Sequence, residues 1–341
     1  MSNHENHHEH DHPLGPPTLI DRRALIIAGG FGFGALFLAA CTAKVPILSS
    51  STVSSSSATS ASASPSVLPG FAEFASTVTT TLSDGIWLIE SDGMPSHPMM
   101  TGIKSWQQQV PVPQPYSGSN AWRIPSQPQF AEQPISARTS LYRGAIALAV
   151  NGVPIFNALN NRGDDAFLAG ELDNWGGHSG RADDYHYHIA PLHLSEQVGA
   201  GKPIAYALDG YAIYGTTEPD GSPVASLDEY NGHDLGSGYH YHGTTTYPYI
   251  NGGLRGVVQV VEDQVDPQPI LRPFRPAGEP LPGATITSFT TKSAGQYALT
   301  YSLDGGVGSV DYTVNDSTIT FTYTDPSGST RQENYTRQAA N

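Results

Sequence analysis

The chain has 341 residues, of which 38% are hydrophobic and only 14% are charged, and its formal net charge is −15. With 36 glycines and 27 prolines, this composition favours a protein rich in β-strands and loops over a helical bundle, whose surfaces need many Lys, Glu and Arg. The 16 basic residues form no basic stripe, which argues against nucleic acid as a partner. The single cysteine excludes an intrachain disulfide.

Residues 1–40 are predicted to be an export signal. Arg22 and Arg23 precede an apolar stretch over 24–40 that is shorter than the roughly 20 residues of a membrane-spanning helix. The arginine pair loosely resembles a twin-arginine signal, and LAAC (38–41) resembles the bacterial lipobox. We therefore expect a lipoprotein whose acylated Cys41 anchors it to the outer face of the bacterial cytoplasmic membrane or to the cell envelope. An uncleaved signal anchor is the alternative.

The remaining chain divides by composition into four segments. A Ser/Ala/Thr-rich linker over 41–70 is followed by a central domain over 71–266. A proline-rich linker over 267–282 then leads to residues 283–341, where apolar and polar residues alternate between turn signals. This last segment is predicted to be a small antiparallel β-meander of about four strands.

The central domain contains an internal duplication. ALAVNGVPIF (147–156) matches AYALDGYAIY (205–214), DNWGGH (173–178) matches DEYNGH (228–233), and each copy ends in a YHYH tetrapeptide, at 185–188 and 239–242. The offsets of 58, 55 and 54 residues are nearly constant, as expected for two copies of one unit. Asn-Gly and Asp-Gly at the hairpin positions favour two-residue type I′ turns. We therefore predict a mainly β fold in which the central domain is built from two hairpin, Gly-His and YHYH units.

The histidines of the duplicated unit are candidate metal ligands. Side chains alternate along a strand, so the two imidazoles of each YHYH share one face and the two tyrosines share the other. The histidine of the preceding Gly-His is the natural third ligand in each copy. The predicted ligands are His178, His186, His188, His233, His240 and His242, with His193 as a further candidate.

The ligand chemistry narrows the choice of metal. An all-nitrogen set favours copper or zinc, with iron as a further possibility. Residues predicted to support the ligands from behind are Tyr185, Tyr187, Tyr239, Tyr241 and Asp184. We expect the two YHYH strands to lie near each other with their histidines facing a common cavity, although the sequence leaves open whether there is one shared centre or two. A purely structural His/Tyr hydrogen-bond network is the alternative.

Several ordered blocks over roughly 145–260 together resemble the YHYH protein family, a group of exported, mostly bacterial proteins. These blocks are NGVPIFNALNN (151–161), GGHSGRADDYHYH (176–188), YALDGYAIYG (206–215), NGHDLGSGYHYHGT (231–244) and YPYINGGLRG (247–256). The resemblance implies a shared fold for the central domain and places the six histidines on the family's Gly-His and YHYH positions. Many relatives carry cysteines where this chain has Tyr230 and Gly253, so packing around Tyr230 is expected to hold this loop instead.

Three functions are compatible with these features. The first is a cell-surface or periplasmic lipoprotein that binds copper or zinc through the clustered histidines, for storage, sensing or delivery. The second is a metal-dependent oxidoreductase or hydrolase with an open coordination position. The third is a non-catalytic module in which aromatic residues such as Trp175, Tyr247 and Tyr249 grip a glycan or peptide. A closed four-ligand site favours the first function, and three ligands beside a cleft favour the second. The sequence does not identify a small-molecule, glycan or protein partner.

Overall fold

The two duplicated hairpins lie at the centre of one large sheet in the computed structural model, which describes residues 66–338. The strands up to the second hairpin are β1 (Thr79–Ser83), β2 (Ile86–Glu90), β3 (Trp122–Pro125), β4 (Phe130–Ser136), β5 (Ala145–Ala149), β6 (Pro154–Phe156), β7 (Gly177–Ser179), β8 (Tyr185–Tyr187), β9 (Ala205–Ala207) and β10 (Ala212–Tyr214). The later strands are β11 (Gly232–Asp234), β12 (Tyr239–His242), β13 (Gly253–Gly256), β14 (Gln259–Val261), β15 (Gln264–Asp266), β16 (Thr285–Ser293), β17 (Gln296–Leu303), β18 (Gly306–Val314), β19 (Thr318–Thr324) and β20 (Thr330–Thr336).

Helical structure is sparse, as the composition predicts. One short α-helix, α1, spans Leu194–Val198, and two 3₁₀ turns lie at Phe71–Phe74 and Gly118–Asn120. None of the helices within 66–338 has the length and apolar character that crossing a membrane would require. The predicted mainly β fold is confirmed. The signal over 1–40 and Cys41 lie outside the described residues, as does most of the linker over 41–70.

The central sheet has eight strands in the order β11-β12-β10-β9-β5-β6-β8-β7. In each copy of the repeat the hairpin pairs in parallel with its YHYH strand, which pairs antiparallel with the Gly-His strand at the sheet edge. The two copies join through β5 and β9 at the centre. Every residue of β5 and β9 is buried, so the duplication supplies the middle of the hydrophobic core.

The hairpin turns differ from the predicted type I′ geometry. Gly152 and Gly210 have positive φ values of 81° and 99°, but neither Asn151 nor Asp209 has a positive φ. Instead, the Gly152 N–H donates to the carbonyl of Ala149, whose own N–H donates to Val153. This pattern is a three-residue loop in which a turn is followed by a left-handed glycine. The turn-type prediction was wrong because the strands end one residue earlier than the Asn-Gly and Asp-Gly pairs suggested.

The C-terminal segment forms a five-stranded antiparallel meander, β16 to β20. The prediction of about four strands missed β16, whose run TITSFTTKS lies next to the proline-rich stretch. The Asp304-Gly305 turn has positive φ at both residues, as a two-residue type I′ turn requires.

The meander packs against the central domain through defined polar contacts. The guanidinium of Arg275 forms a buried bidentate ion pair with Asp183, at 2.7 and 2.8 Å. Backbone bonds also join Ile286 to Gly102 and Ile103. All described residues belong to one compact unit. Arg275 lies in the proline-rich linker and also donates to the Tyr323 hydroxyl of β19 at 2.8 Å. Because Asp183 directly precedes Asp184 and the first YHYH, Arg275 thus ties the meander to the strand that carries His186.

Candidate metal centres

The first cluster of histidines is built on the β7–β8 hairpin. His178 and His186 lie opposite each other in the strand register, and His188 follows one residue after the end of β8. Nε2 of His178 lies 3.1 Å from Nε2 of His188, and one ligand atom from each of the three residues falls within 4.8 Å of the others. His186 and His188 are buried, whereas His178 is partly exposed. These three residues are called the first cluster below.

The second cluster has the same three histidines and adds a carboxylate. His233 and His240 lie opposite each other on β11 and β12, with their Nε2 atoms 3.1 Å apart. Glu218 places its carboxylate oxygens 3.1 to 3.3 Å from Nε2 of His233, His240 and His242. All four residues are buried. Glu218, His233, His240 and His242 are called the second cluster below.

A backbone carbonyl anchors the Nδ1 atom of five of the six histidines. In the first cluster the acceptors are the carbonyls of Asp184 and Asn157, for His186 and His188 respectively. In the second cluster they are those of Ser226, Gly238 and Gly215, for His233, His240 and His242. A carbonyl oxygen only accepts, so each of these Nδ1 atoms carries the hydrogen and the Nε2 of the same ring presents a lone pair. Carbonyl anchoring of this kind orients histidines that bind metals.

The converging lone pairs fit a cation. Two nitrogens that bind one ion at about 2.0–2.1 Å lie about 2.9–3.4 Å apart at bond angles of about 90–110°. The 3.1 Å separations of His178 from His188 and of His233 from His240 fall in this range. Within the described residues, Nε2 of His242 is buried and makes no hydrogen bond. Two facing lone pairs repel in an apolar interior, so the donor set suits a shared metal ion.

Burial lowers the pKa of His178, His188 and His242 and so favours their neutral forms near pH 7. It lowers the pKa of His178 well below 6.5, with the neighbouring His186 and His188 adding to the effect. Burial also lowers the pKa of His188 to about 3 and that of His242 below its ordinary value. Burial alone would raise the pKa of Glu218, but the Ala225 N–H and the His240 ring outweigh it and hold that pKa below its usual range. Neutral imidazoles and an ionised carboxylate are the forms that bind metal.

Glycine precedes His178 and His233 because the paired strand approaches closely there. A Cβ at Gly177 would lie 2.6 Å from the Tyr185 hydroxyl and 2.7 Å from a backbone carbonyl. A Cβ at Gly232 would lie 2.3 Å from the hydroxyl of Tyr239 and again 2.7 Å from a carbonyl. The Gly-His pair is therefore a packing requirement of each histidine hairpin as well as a sequence signature.

The YHYH tyrosines lie on the face opposite the histidines, as the strand periodicity predicts. Tyr185 and Tyr239 donate their hydroxyls to Asp173 and Asp228, the first residues of the two matching DNWGGH and DEYNGH segments. Tyr241 donates to Asp209 at 2.6 Å. The hydroxyls thus fix the strands and bond to none of the six histidines. Asp184 differs, since both its carbonyl and its carboxylate lie 3.0 to 3.2 Å from Nδ1 of His186.

An aromatic residue from each hairpin covers its histidine cluster. Phe156 stacks on His186 with ring centroids 3.9 Å apart. Tyr214, at the matching position of the second copy, lies edge-on to His240 at 5.3 Å. Each ring thus packs against one side of its cluster.

His193 lies outside both clusters. It precedes α1, and its ring lies 5.1 Å from that of His97 and 4.8 Å from that of Trp175. His97 in turn bonds to the Tyr187 hydroxyl at 2.7 Å. His97, Trp175 and His193 therefore lie on the face of β8 that carries the tyrosines, away from the other candidate ligands. The same packing uses Trp175. Of the other aromatic residues suggested for glycan binding, Tyr249 is buried and Tyr247 is partly exposed.

A cleft of about 880 Å³ opens onto the first cluster. All three histidines of that cluster line it, together with amide side chains that include Gln109, Asn160 and Gln268. No residue of the second cluster lines this cleft. The two clusters therefore share their ligand geometry but differ in access.

The two clusters do not face a common cavity, so this expectation was wrong. The YHYH strands β8 and β12 are separated by β6, β5, β9 and β10 in the sheet. The physical reason is that the copies pair through the first strands of their hairpins, which places each YHYH strand near an outer edge. The arrangement gives two separate three-histidine groups.

Glu218 is the ligand candidate that sequence reasoning missed. It lies in the loop after the second hairpin, in GTTEPDG, outside both matching motifs. The equivalent residue of the first copy is Asn160, so a comparison of the two copies gives no signal for a carboxylate. Its role emerges only from the folded arrangement.

The loop around Tyr230 is held by direct packing. A Cβ at Gly253 would lie 2.9 Å from the Tyr230 ring, and the Gly252 N–H donates to the Tyr230 carbonyl at 2.8 Å. Tyr230 and Gly253 are thus neighbours, as expected if packing around Tyr230 holds this loop.

The fold and the clusters define a mainly β protein with two buried histidine groups that could hold metal ions. Residues 121–222 match the family model described as YHYH protein, so this part of the chain is similar to that family. The match includes the first YHYH and both hairpins and ends before the second YHYH. No curated protein and no solved structure matches the chain.

Proposed function

We propose that this chain binds two transition-metal ions, one in each histidine cluster. The observation that carries this proposal is that five of the six histidines donate Nδ1–H to a backbone carbonyl, while ligand atoms of all six converge in two groups of three. A hydrogen-bond network alone would use the Nε2 atoms to bond neighbouring polar groups. In the first cluster the Nε2 atoms of His178 and His188 instead face each other at 3.1 Å, and in the second cluster the three Nε2 atoms surround the single carboxylate of Glu218.

Copper or zinc fits the clusters best, and iron is a further candidate. The first cluster offers three imidazole nitrogens, which favours copper or zinc. The second adds the carboxylate of Glu218, giving the four-ligand set of a structural zinc site or the mixed nitrogen and oxygen set that iron accepts. A buried four-ligand site stabilises the fold when it is loaded.

The proposal includes the location of the protein. The arginine pair, the apolar stretch over 24–40 and the lipobox-like LAAC support export and anchoring through Cys41. A Ser/Ala/Thr-rich linker would hold the metal-binding domain away from the membrane. Storage, sensing or delivery of copper or zinc at the cell surface is the role that this placement suits.

Metal-dependent catalysis is the second candidate function, and the cleft favours it. Three protein ligands beside an accessible cavity are typical of catalytic metal sites, whereas closed sites of four ligands are structural. The first cluster has the former arrangement and the second cluster the latter. Catalysis would therefore take place at the first cluster.

The proposal is tested by elemental analysis of the chain produced in a bacterial host and purified without a histidine tag. His188→Ala and His242→Ala each remove one ligand from one cluster. We expect two metal ions per chain in the wild type, one in each single variant and none in the double variant. The histidine-rich residues 3–12 precede Cys41 and are expected to be removed with the signal, and any metal that the double variant retains would measure their contribution. A folded wild type that holds no metal and takes up none would contradict the proposal.

A further inference from the structure

Asn160 and Glu218 occupy the same backbone position in the two copies. Each follows a hairpin at the offset of 58 residues, and each begins a tight loop. The Asn160 N–H donates to the Asp164 carbonyl at 2.8 Å, and the Glu218 N–H donates to the equivalent Ser222 carbonyl at 2.9 Å. The preceding residues, Leu159 and Thr217, form equivalent isolated bridges. The two side chains therefore start from the same place relative to their clusters.

The two side chains point to different partners. The Glu218 carboxylate lies within 3.3 Å of Nε2 of all three histidines in its cluster. The Asn160 amide instead donates to Glu171 at 3.2 Å, and its oxygen accepts the N–H groups of Arg162 and Asp164. These bonds satisfy the Asn160 side chain within its own loop. The first cluster is thus left with three protein ligands.

The side of the first cluster that lacks a fourth ligand is accessible. The cleft reaches all three histidines of the first cluster. Among the three residues of the first cluster and the four of the second, His178 is the one that is partly exposed. An imidazole ligand carries no negative charge, and the Asp184 carboxylate lies behind the first cluster at Nδ1 of His186. Glu218, in contrast, brings a carboxylate to the Nε2 side of the second cluster, where the ion would bind. An ion in the first cluster would therefore attract an anionic donor more strongly than an ion in the second.

We propose that Asn160 keeps the fourth coordination position of the first cluster open, and that a small anionic ligand entering from the cleft fills it. Glu218 closes the same position in the second cluster. This inference rests on the proposed function, because it requires a metal in each cluster. It assigns ligand exchange to the first cluster alone and makes residue 160 the determinant of that difference.

The test is azide titration of the full chain loaded with Co²⁺, followed by visible absorption. We expect one of the two cobalt ions to respond to azide, the response to disappear in His188→Ala and to persist in His242→Ala. In Glu218→Ala, both ions should respond. A response from both wild-type ions or from neither would overturn the inference while leaving metal binding intact. Failure to bind cobalt at either cluster would overturn the proposed function as well.

A substitution in the first copy provides the reciprocal test. Asn160→Glu should place a carboxylate at the open position and abolish the azide response with two cobalt ions still bound. Asn160→Ala is the matched control, since it removes the same loop hydrogen bonds without adding a ligand, and it should keep the response. Loss of the response in both variants would contradict the role of residue 160. If Asn160→Glu does not fold, Glu218→Ala remains as the test. A second cobalt ion that responds to azide in this variant supports the inference, and an unchanged response contradicts it.

Discussion

Leu148 lies directly opposite Tyr206 on the two central strands, and these residues hold the same position in the two copies of the repeat. On either side of them, Ala147 pairs with Ala207 and Ala149 pairs with Ala205, so equivalent residues exchange places across the pair. This is the contact pattern of a twofold axis. An approximate axis therefore passes between Leu148 and Tyr206, and it relates the first histidine cluster to the second.

The distance between the two clusters predicts that they contribute to stability independently. The YHYH strands are five strand-to-strand steps apart in the sheet, which corresponds to about 24 Å at about 4.8 Å per step. Effects of substitutions at this distance usually add. We expect the losses of unfolding free energy in metal-loaded His188→Ala and His242→Ala to sum in the double variant to within about 0.5 kcal/mol. Urea denaturation of the wild type, the two single variants and the double variant measures these free energies. A deviation from additivity several times larger than about 0.5 kcal/mol would contradict independence.

The glycines before His178 and His233 yield a second prediction. Alanine at Gly177 or Gly232 would press its Cβ against a backbone carbonyl at 2.7 Å, which cannot rotate away. Overpacking of this kind costs about 1–3 kcal/mol, and the displaced hairpin should also weaken metal binding at the affected cluster only. Thermal unfolding and metal titration measure the two effects. Leu235→Ala, at an exposed residue of the β11–β12 hairpin, is the control and should change stability by less than about 0.5 kcal/mol.

The sequence predicted the local units of this fold well. Alternation along YHYH assigned the histidines and tyrosines to opposite faces, and the duplication predicted paired hairpins and two groups of three histidines. These features depend on residues close in sequence or on the strand period of two. Physical regularities of a single strand therefore account for them.

What the sequence did not reveal depends on how the units assemble. The distance between the clusters follows from the pairing of β5 with β9, and nothing in the two hairpins specifies which edge joins which. Glu218 becomes a neighbour of His242 only through the loop that follows β10. The cleft is lined by segments as distant as Gln109 and Gln268, so its existence also required the folded chain.

The tyrosines of the two copies should differ in their contribution to stability. Tyr241 donates to the buried carboxylate of Asp209 and accepts the Arg255 N–H at 2.7 Å, whereas Tyr187 bonds the neutral groups of Asn151 and His97. Tyr241→Phe would leave a buried carboxylate short of a donor, at a cost of about 1.5–3 kcal/mol for a bond to a charged group. Tyr187→Phe should cost less, about 1 kcal/mol. Chemical denaturation of both variants measures the difference, and an equal or reversed order would contradict the role of Asp209.

The His97 and His193 pair predicts how the metal-free protein responds to acid. Burial lowers the pKa of both residues from 6.5 to about 4, with the nearby His193 adding to the effect on His97. Between these values the unfolded chain binds more protons than the folded chain, so stability rises with pH across this window. These two residues therefore destabilise the fold progressively as the pH falls from about 6.5 to about 4.

A variant isolates this contribution from that of the other histidines. In His193→Phe an aromatic ring that does not titrate replaces the imidazole between the rings of His97 and Trp175. Urea midpoints of the chelator-treated wild type and variant, measured at pH 7, 5.5 and 4.5, give the difference in pH dependence. We expect the wild type to lose more stability than the variant between pH 7 and 4.5, since one proton fewer is taken up when the variant unfolds. Parallel curves would show that His193 is protonated as readily in the folded chain as in the unfolded one.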